Sequence, residues 1–430
     1  NLEAPKNLYL GDAGRCLGHC WSIATRGRTS TGEDVIQLLL AASEGDCESS
    51  KPSYANFESH QLIRAQGGTV FYTHPLRWWI GEWGGQGGYP KLEKMRISNM
   101  AVELPLDTLI GPTYDGLDVI TTAGEAAANE KAFQLWALLL NHGYRVAATG
   151  SSDACFDRPG GAVPGSARTY TYLEQEFSLA AVARATAQGR TFVTTGPLVL
   201  ASVDGRPPGT SLAADGREHR LELEAWASGS ATGGLSRVEI HRNGVLFKTL
   251  DFRDLTRDQP PLAAPTPQPA HYQTNLLLVE RETAWYCVRV FGADAQRQRA
   301  ITGAFFFDAP NYSPPAAVPA RVRVQILDAD TGQPIGGTVS EVAYHGPLPR
   351  PIAKHLLPQG EDTFTVPGTV RLRAEAPGYQ PATLSPFLDN PALVEAITRL
   401  EDKDLLDWRT FERIRALLSE IQLTFRLKKA

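Results

Sequence analysis

Between residues 60 and 200, short apolar runs alternate with amphipathic stretches. Thr69–Thr73, Leu117–Thr121, Val146–Thr149, Thr169–Tyr172 and Thr191–Thr194 read as strands, several with the apolar continuity of strands covered on both faces. Between them, Glu125–His142 carries Phe133, Trp136, Leu139 and Leu140 on one helical stripe, with Gly143 at the C-cap position. A second helix is predicted from the N-cap Ser178 through Leu179, Val182 and Ala185 to Gly189. Such alternation is the α/β signature, so a parallel sheet or barrel is expected.

After Pro197 the period changes to two. Leu221–Trp226 alternates, and Val238–Arg242 is joined to Val245–Lys248 by Asn243-Gly244, a strong hairpin signal. Tyr286–Phe291 and Ala304–Phe307 continue a β-sandwich, with Gln259–Pro269 as a Pro-rich loop and Pro310–Pro319 as a linker. A second small sandwich is expected from Arg321, with strands at Val322–Leu327 and Val370–Ala376. At the end, Leu405–Ile421 has helical spacing and Gln422–Leu427 alternates like a strand. The expected division is an α/β part over 1–200, a sandwich over 201–312, a second over 319–400, and a terminal helix and strand over 401–430.

The 430 residues suffice for about three domains with real cores. A net charge of −5 offers no positive field for a nucleic acid backbone, and no apolar run approaches the length of a membrane span. Five cysteines are too few and too scattered for a disulfide framework, and their odd number leaves at least one thiol free in a monomer, so the redox compartment stays open. The start at Asn1, without an initiator Met or signal peptide, is expected of a processed chain or one cut from a longer precursor. Asn311-Tyr-Ser is a lone glycosylation sequon. The multi-sandwich architecture favours a secreted or periplasmic setting.

Three segments have the makings of a site. Thr69–Thr73 runs into His74-Pro75, placing an imidazole where parallel sheets assemble their chemistry, although a His that merely caps a loop reads the same way. Val146–Thr149 runs into Gly-Ser-Ser-Asp153-Ala-Cys155; a carboxylate and a thiolate two residues apart share one face of an extended chain and could share a metal, or be a turn Asp and a small buried Cys. His19 precedes a third apolar run. Arg77, Trp78, Trp79 and Trp83 follow His74 beside a Gly-rich stretch and read as a loop lining a substrate pocket or a contact between chains. No phosphate-loop Lys, dinucleotide fingerprint or Gly-x-Ser-x-Gly elbow is present.

Taken in order, Gly-His19, Gln66-Gly-Gly to His74-Pro, Asn141-His-Gly-Tyr-Arg145 to Gly150-Ser-Ser-Asp153, Arg168-Thr-Tyr and Gly189-Arg-Thr-Phe-Val-Thr-Thr-Gly-Pro197 resemble the PHP (polymerase and histidinol phosphatase) superfamily. The similarity spans about residues 10–210 and is greatest to the carbaryl-hydrolase (CehA/McbA) branch. Trp285–Gly292 resembles the sandwich that follows the barrel in that branch, and the next unit a carboxypeptidase-regulatory-type sandwich.

The resemblance implies an α/β fold, a distorted barrel holding two or three metals at its strands' carboxyl ends, and hydrolysis of ester or phosphoester bonds on a small-molecule substrate. His19 and His74 match metal-ligand histidines, and Asp153 matches the Asp of an Asp-x-His motif whose His is here Cys155. Thiolate biases such a site toward zinc over manganese, or abolishes a metal position. The family's opening His-x-His and Asp-His occur nowhere among the nine histidines. The expectation is therefore an incomplete PHP-type barrel followed by two β-sandwiches and a C-terminal helix. It is a metal-dependent hydrolase, or a fragment of one, if an upstream segment supplies the missing ligands. The alternative is a metal-free, catalytically inactive scaffold whose Trp-rich segment and sandwiches contact proteins or glycans. Either a homo-oligomer or an N-terminal segment would cover the open barrel edge.

Overall fold

The computed structural model describes residues 20–23, 69–72, 75–76, 78–83, 95–99, 104–120, 126–152, 163–228, 233–252, 269–343, 350–367, 370–387 and 389–430. The protein is mostly β, in several sheets with few helices. In chain order the elements begin with β1 (Cys20–Ile23), β2 (Thr69–Tyr72), β3 (Trp78–Trp83), β4 (Met95–Asn99), α1 (Leu104–Leu109), β5 (Gly116–Ile120), α2 (Ala126–Asn141) and β6 (Ala147–Gly150). Next come β7 (Arg168–Thr171), α3 (Leu179–Ala187), β8 (Thr191–Thr194), β9 (Leu198–Val203), β10 (Ser211–Ala213), β11 (Glu218–Trp226), β12 (Leu235–Arg242) and β13 (Val245–Asp251). They are followed by β14 (His271–Val279), β15 (Ala284–Gly292), β16 (Arg299–Thr302), β17 (Phe305–Asp308), β18 (Ala320–Asp328), β19 (Gly337–Ala343) and β20 (Arg350–Leu357). The last are β21 (Glu361–Val366), β22 (Arg371–Glu375), β23 (Ala382–Leu384), α4 (Pro391–Thr398), α5 (Asp402–Leu405), α6 (Trp408–Leu418) and β24 (Ile421–Leu427).

Two compact units result. One comprises Asn1–Val70, Arg77–Tyr114 and Ala316–Ala430, the other Phe71–Leu76 and Asp115–Pro315. In the first, β21-β18-β24 and β20-β19-β22-β23 form two sheets, with β24 parallel to β18. The helix expected over 405–421 is broken. Asp407 is extended at φ −118° and its carboxylate accepts the Arg409 N–H, which ends α5 and caps a fresh start at Trp408. The tryptophan segment read as a loop is instead strand β3, paired antiparallel with β4. Indole-rich runs are good strand formers, and that preference outweighs the glycines that follow.

The second unit begins with parallel strands β2, β5 and β6, with Tyr72 opposite Leu117 and Leu117 opposite Ala148. Helix α2 connects β5 to β6, and the Trp136 indole N–H donates to Val146 O at 2.9 Å. The parallel pattern stops there. Strands β7 and β8 pair antiparallel, and β8 continues through β16 into the sheet of β15, β17, β12 and β13. Alternation along the sequence reports covered faces but not strand direction, so the expected parallel continuation is replaced by antiparallel pairing. Strand β6 meets this sheet through hydroxyls. Thr191 Oγ1 donates to Ala148 O at 2.7 Å, and Thr169 Oγ1 donates to Gly150 O at 2.9 Å while accepting its N–H at 2.8 Å.

The opposing sheet is β14-β11-β9, and Val199, Leu221, Leu223, Val238, Val288 and Phe305 are among the side chains that fill the core between the two. Every residue of β15 is buried. Its other face is covered by α2: Trp136 meets Trp285 edge-on at 5.2 Å and Phe133 meets His241 at 5.3 Å. The Trp285 indole N–H donates to Asn141 Oδ1 at 2.8 Å, and Asn141 donates to Asn243 O at 3.2 Å. Asn243 and Gly244 have φ of +52° and +79°, as the predicted hairpin turn requires. A Cβ on Gly244 would sit 2.8 Å from Ala137, so only glycine lets the turn lie against the helix.

Charges are also enclosed beneath α2. Arg289 is 5% exposed, pairs with Glu130 at 2.5 Å and lies 3.9 Å from Glu239, which bonds Arg237 at 2.6 Å and His241 at 3.0 Å. Burial pushes the Glu239 carboxyl up, but His241, Arg237 and Arg289 outweigh it and bring it to about 2. A carboxyl held below its unfolded value of ~4.3 stabilises the fold above that pH, and the contribution is lost as pH falls through about 2. Glu239→Gln should therefore cost about 1–3 kcal/mol near neutrality. In urea titrations the gap to the parent should narrow between ~4.3 and about 2; a constant gap would contradict this reading.

Candidate active site

Three parallel strands deliver their carboxyl ends to one edge of the second unit. Strand β2 ends at Tyr72, two residues before His74, and β6 ends at Gly150, three residues before Asp153. Between them β5 ends at Ile120, which lies opposite Gly150. Strands two places apart in a sheet are about 10 Å from each other, a span over which side chains from both can meet. Pro75 and Leu76 are buried in a turn just past His74. Residues His19, His74, Arg77, Asp153 and Cys155 themselves lie outside the described residues. Trp78, Trp79 and Trp83 belong to β3, in the other compact unit.

The described part of this edge is organised by Asp118. It is fully buried in β5; Thr149 Oγ1 donates to its Oδ1 at 2.7 Å, and the Ser151 hydroxyl donates to Oδ2. Asp118 and Thr149 are register partners, and Ser151, two residues on, falls on the same side of the sheet. The Ser151 N–H also donates to Ile120 O at 3.1 Å. The chain leaving β6 toward Asp153 is thus tied to the central strand by one carboxylate and one carbonyl. Sequence reading passed over Asp118, although a lone carboxylate in an otherwise apolar, doubly covered strand was the available signal.

Among the described residues, no three His, Cys, Asp or Glu side chains gather as a metal site would require. Asp118 accepts from the Thr149 and Ser151 hydroxyls. The candidate donors are those at and beyond the strand ends. A histidine, a carboxylate and a thiolate suit a tetrahedral zinc better than a harder cation.

A separate cleft of about 340 Å³ lies at the C-terminal end of α2, lined by Asn141, Arg145, Asn243, Trp285, Phe306 and Tyr312, among others. Arg145 pairs with Asp308 and is flanked by the Phe306 and Tyr312 rings at 4.4 and 4.2 Å. Because α2 runs back across the sheet, this cleft is at the opposite end from the strands' carboxyl edge. The Asn141-His-Gly-Tyr-Arg145 stretch therefore serves to dock α2 on the sandwich.

No family model matches the chain, and no curated protein matches it. Among solved structures, the major pilin subunit BcpA of Bacillus cereus is similar at 6% identity and a TM-score of 0.18, over 55% of this chain and 72% of that one. The group B streptococcus pilus 2b backbone protein follows at 8% and 0.16, over 54% and 98%. A Mobiluncus mulieris adhesin with intramolecular cross-links is similar at 9% and 0.17, over 55% and 99%. At these values the likeness carries no inference for this chain.

Replacing Asp118 with Ala would remove this acceptor from the buried Thr149 hydroxyl and the half-buried Ser151 hydroxyl. We expect a loss of about 2 kcal/mol or more in urea unfolding, with Asp118→Asn falling between. An Ala variant as stable as the parent would show that the carboxylate does not hold the β6 exit.

Proposed function

We propose that the chain is a PHP-type metal-dependent hydrolase of ester or phosphoester bonds, its site at the carboxyl ends of β2, β5 and β6. On this reading these strands belong to the family's distorted barrel. The observation that carries the proposal is their parallel order, which directs the His74 and Asp153 segments to the same edge on either side of β5. The motifs quoted above support it by occurring in the family's order.

His74 and Asp153, with His19 and Cys155, would hold the metal, which when bound polarises the scissile group and supplies a hydroxide near neutral pH. Asp118 fixes the origin of the Asp153 segment. The ester or phosphoester group would lie over the strand ends. Without the family's His-x-His, these donors suffice for one tetrahedral zinc but not for a multinuclear cluster.

Zinc titration of the purified metal-free chain, followed by elemental analysis, tests the proposal together with turnover of an aryl ester and an aryl phosphate. About one zinc per chain is expected, with His74→Ala and Asp153→Ala each weakening it at least about tenfold. A parent chain that retains no zinc would overturn the hydrolase reading and leave a PHP-fold scaffold.

A further inference from the structure

Edge strands expose a row of unpaired peptide groups, and proteins defend them with charges, prolines, bulges or a covering side chain. Most longer edges here carry such a defence. Strand β13 has an irregularity opposite Ile240–His241 and carries Lys248. Strand β20 has Pro351, Lys354 and an irregularity opposite Glu341–Val342. Strand β21 opens with Glu361 and Asp362. The free edge of β9 is covered by Tyr172, whose hydroxyl donates to Val199 O at 3.4 Å and accepts the Ala201 N–H at 3.3 Å.

Strand β14 differs. It forms the edge of the sheet β14-β11-β9, and among the described residues its only strand partner is β11. Its nine residues, His-Tyr-Gln-Thr-Asn-Leu-Leu-Leu-Val, include no Asp, Glu, Lys, Arg or Pro. The ladder to β11 runs from Glu218↔Val279 to Trp226↔His271 without a register shift. Leu277 and Val279 are 52% and 48% exposed.

We propose that this edge pairs with β14 of a second copy of the chain, antiparallel about a two-fold axis, joining two three-stranded sheets into one of six. Such an axis requires residues of the same facing to lie opposite each other, so one residue meets its own copy. Centring the axis on Asn275 pairs the whole strand: Thr274 with Leu276, Gln273 with Leu277, Tyr272 with Leu278 and His271 with Val279. The absence of Asp, Glu, Lys and Arg favours self-pairing, since a charge at the axis would face its own like. Asn275 against Asn275 sets amide against amide, each able to donate and accept. This inference is independent of the hydrolase reading and holds for a scaffold as well.

Sedimentation velocity on the full chain over a range of concentrations tests it. The parent should form a dimer. Asn275→Lys and Asn275→Asp each place like charges opposite one another and should weaken the dimer at least about tenfold. Mixing the two variants should restore association. Leu356→Lys, at a 73% exposed position on β20, should leave it unchanged, and circular dichroism should show native folding throughout. A parent that stays monomeric, single variants that still dimerise, or a mixture that fails to reassociate would each overturn this pairing, even if a peptide of the β14 sequence were bound.

Discussion

The second unit depends on covering both faces of β15. A strand whose nine residues are all buried needs an apolar layer on each side, and only one is supplied by the sandwich. Helix α2 supplies the other. It is the same helix that connects β5 to β6, so its two apolar flanks are occupied by different sheets: Trp136 reaches Val146 on one side and the Trp285 ring on the other. The indole and amide bonds at Asn141, Asn243 and Trp285 then fix the helix along its axis. Because α2 links the end of β5 to the start of β6, the sandwich docks on the same helix that connects the parallel strands.

Much of this was legible in the sequence because period and capping are local. The stripe Phe133, Trp136, Leu139 and Leu140 marked α2 to within a residue or two, Ser178 caps α3 as expected, and Asn243-Gly244 gave the turn. What was not legible is non-local. Nothing in Thr191–Thr194 says that its neighbour will be Arg299–Thr302 in antiparallel register, and a run of three tryptophans has the same composition in a loop or a strand. The break at Asp407 illustrates a competition: helical spacing continued across it, but a carboxylate that caps a new first turn is better satisfied outside the helix than within it.

Of the candidate edge, the strands that lead into it were legible. His74 and Asp153 stood out because each follows an apolar strand, and the two strands do lie on either side of β5. Asp118 did not, since a single polar residue inside an apolar run says nothing about which hydroxyls will face it. Its partners, Thr149 and Ser151, are more than thirty residues away along the chain and become neighbours only through the parallel register. Polar groups enclosed at strand ends and fully bonded are what give such an edge a fixed shape on which chemistry can be built.

If α2 is the shared layer, the parallel strands and the sandwich should open together. Native-state hydrogen exchange at the amides of Val119 in β5 and Val288 in β15 tests this most directly. The account predicts equal opening free energies at the two positions, lowered together by Asn141→Ala. Exchange at Val119 through a separate, lower-energy opening that Asn141→Ala leaves untouched would contradict it.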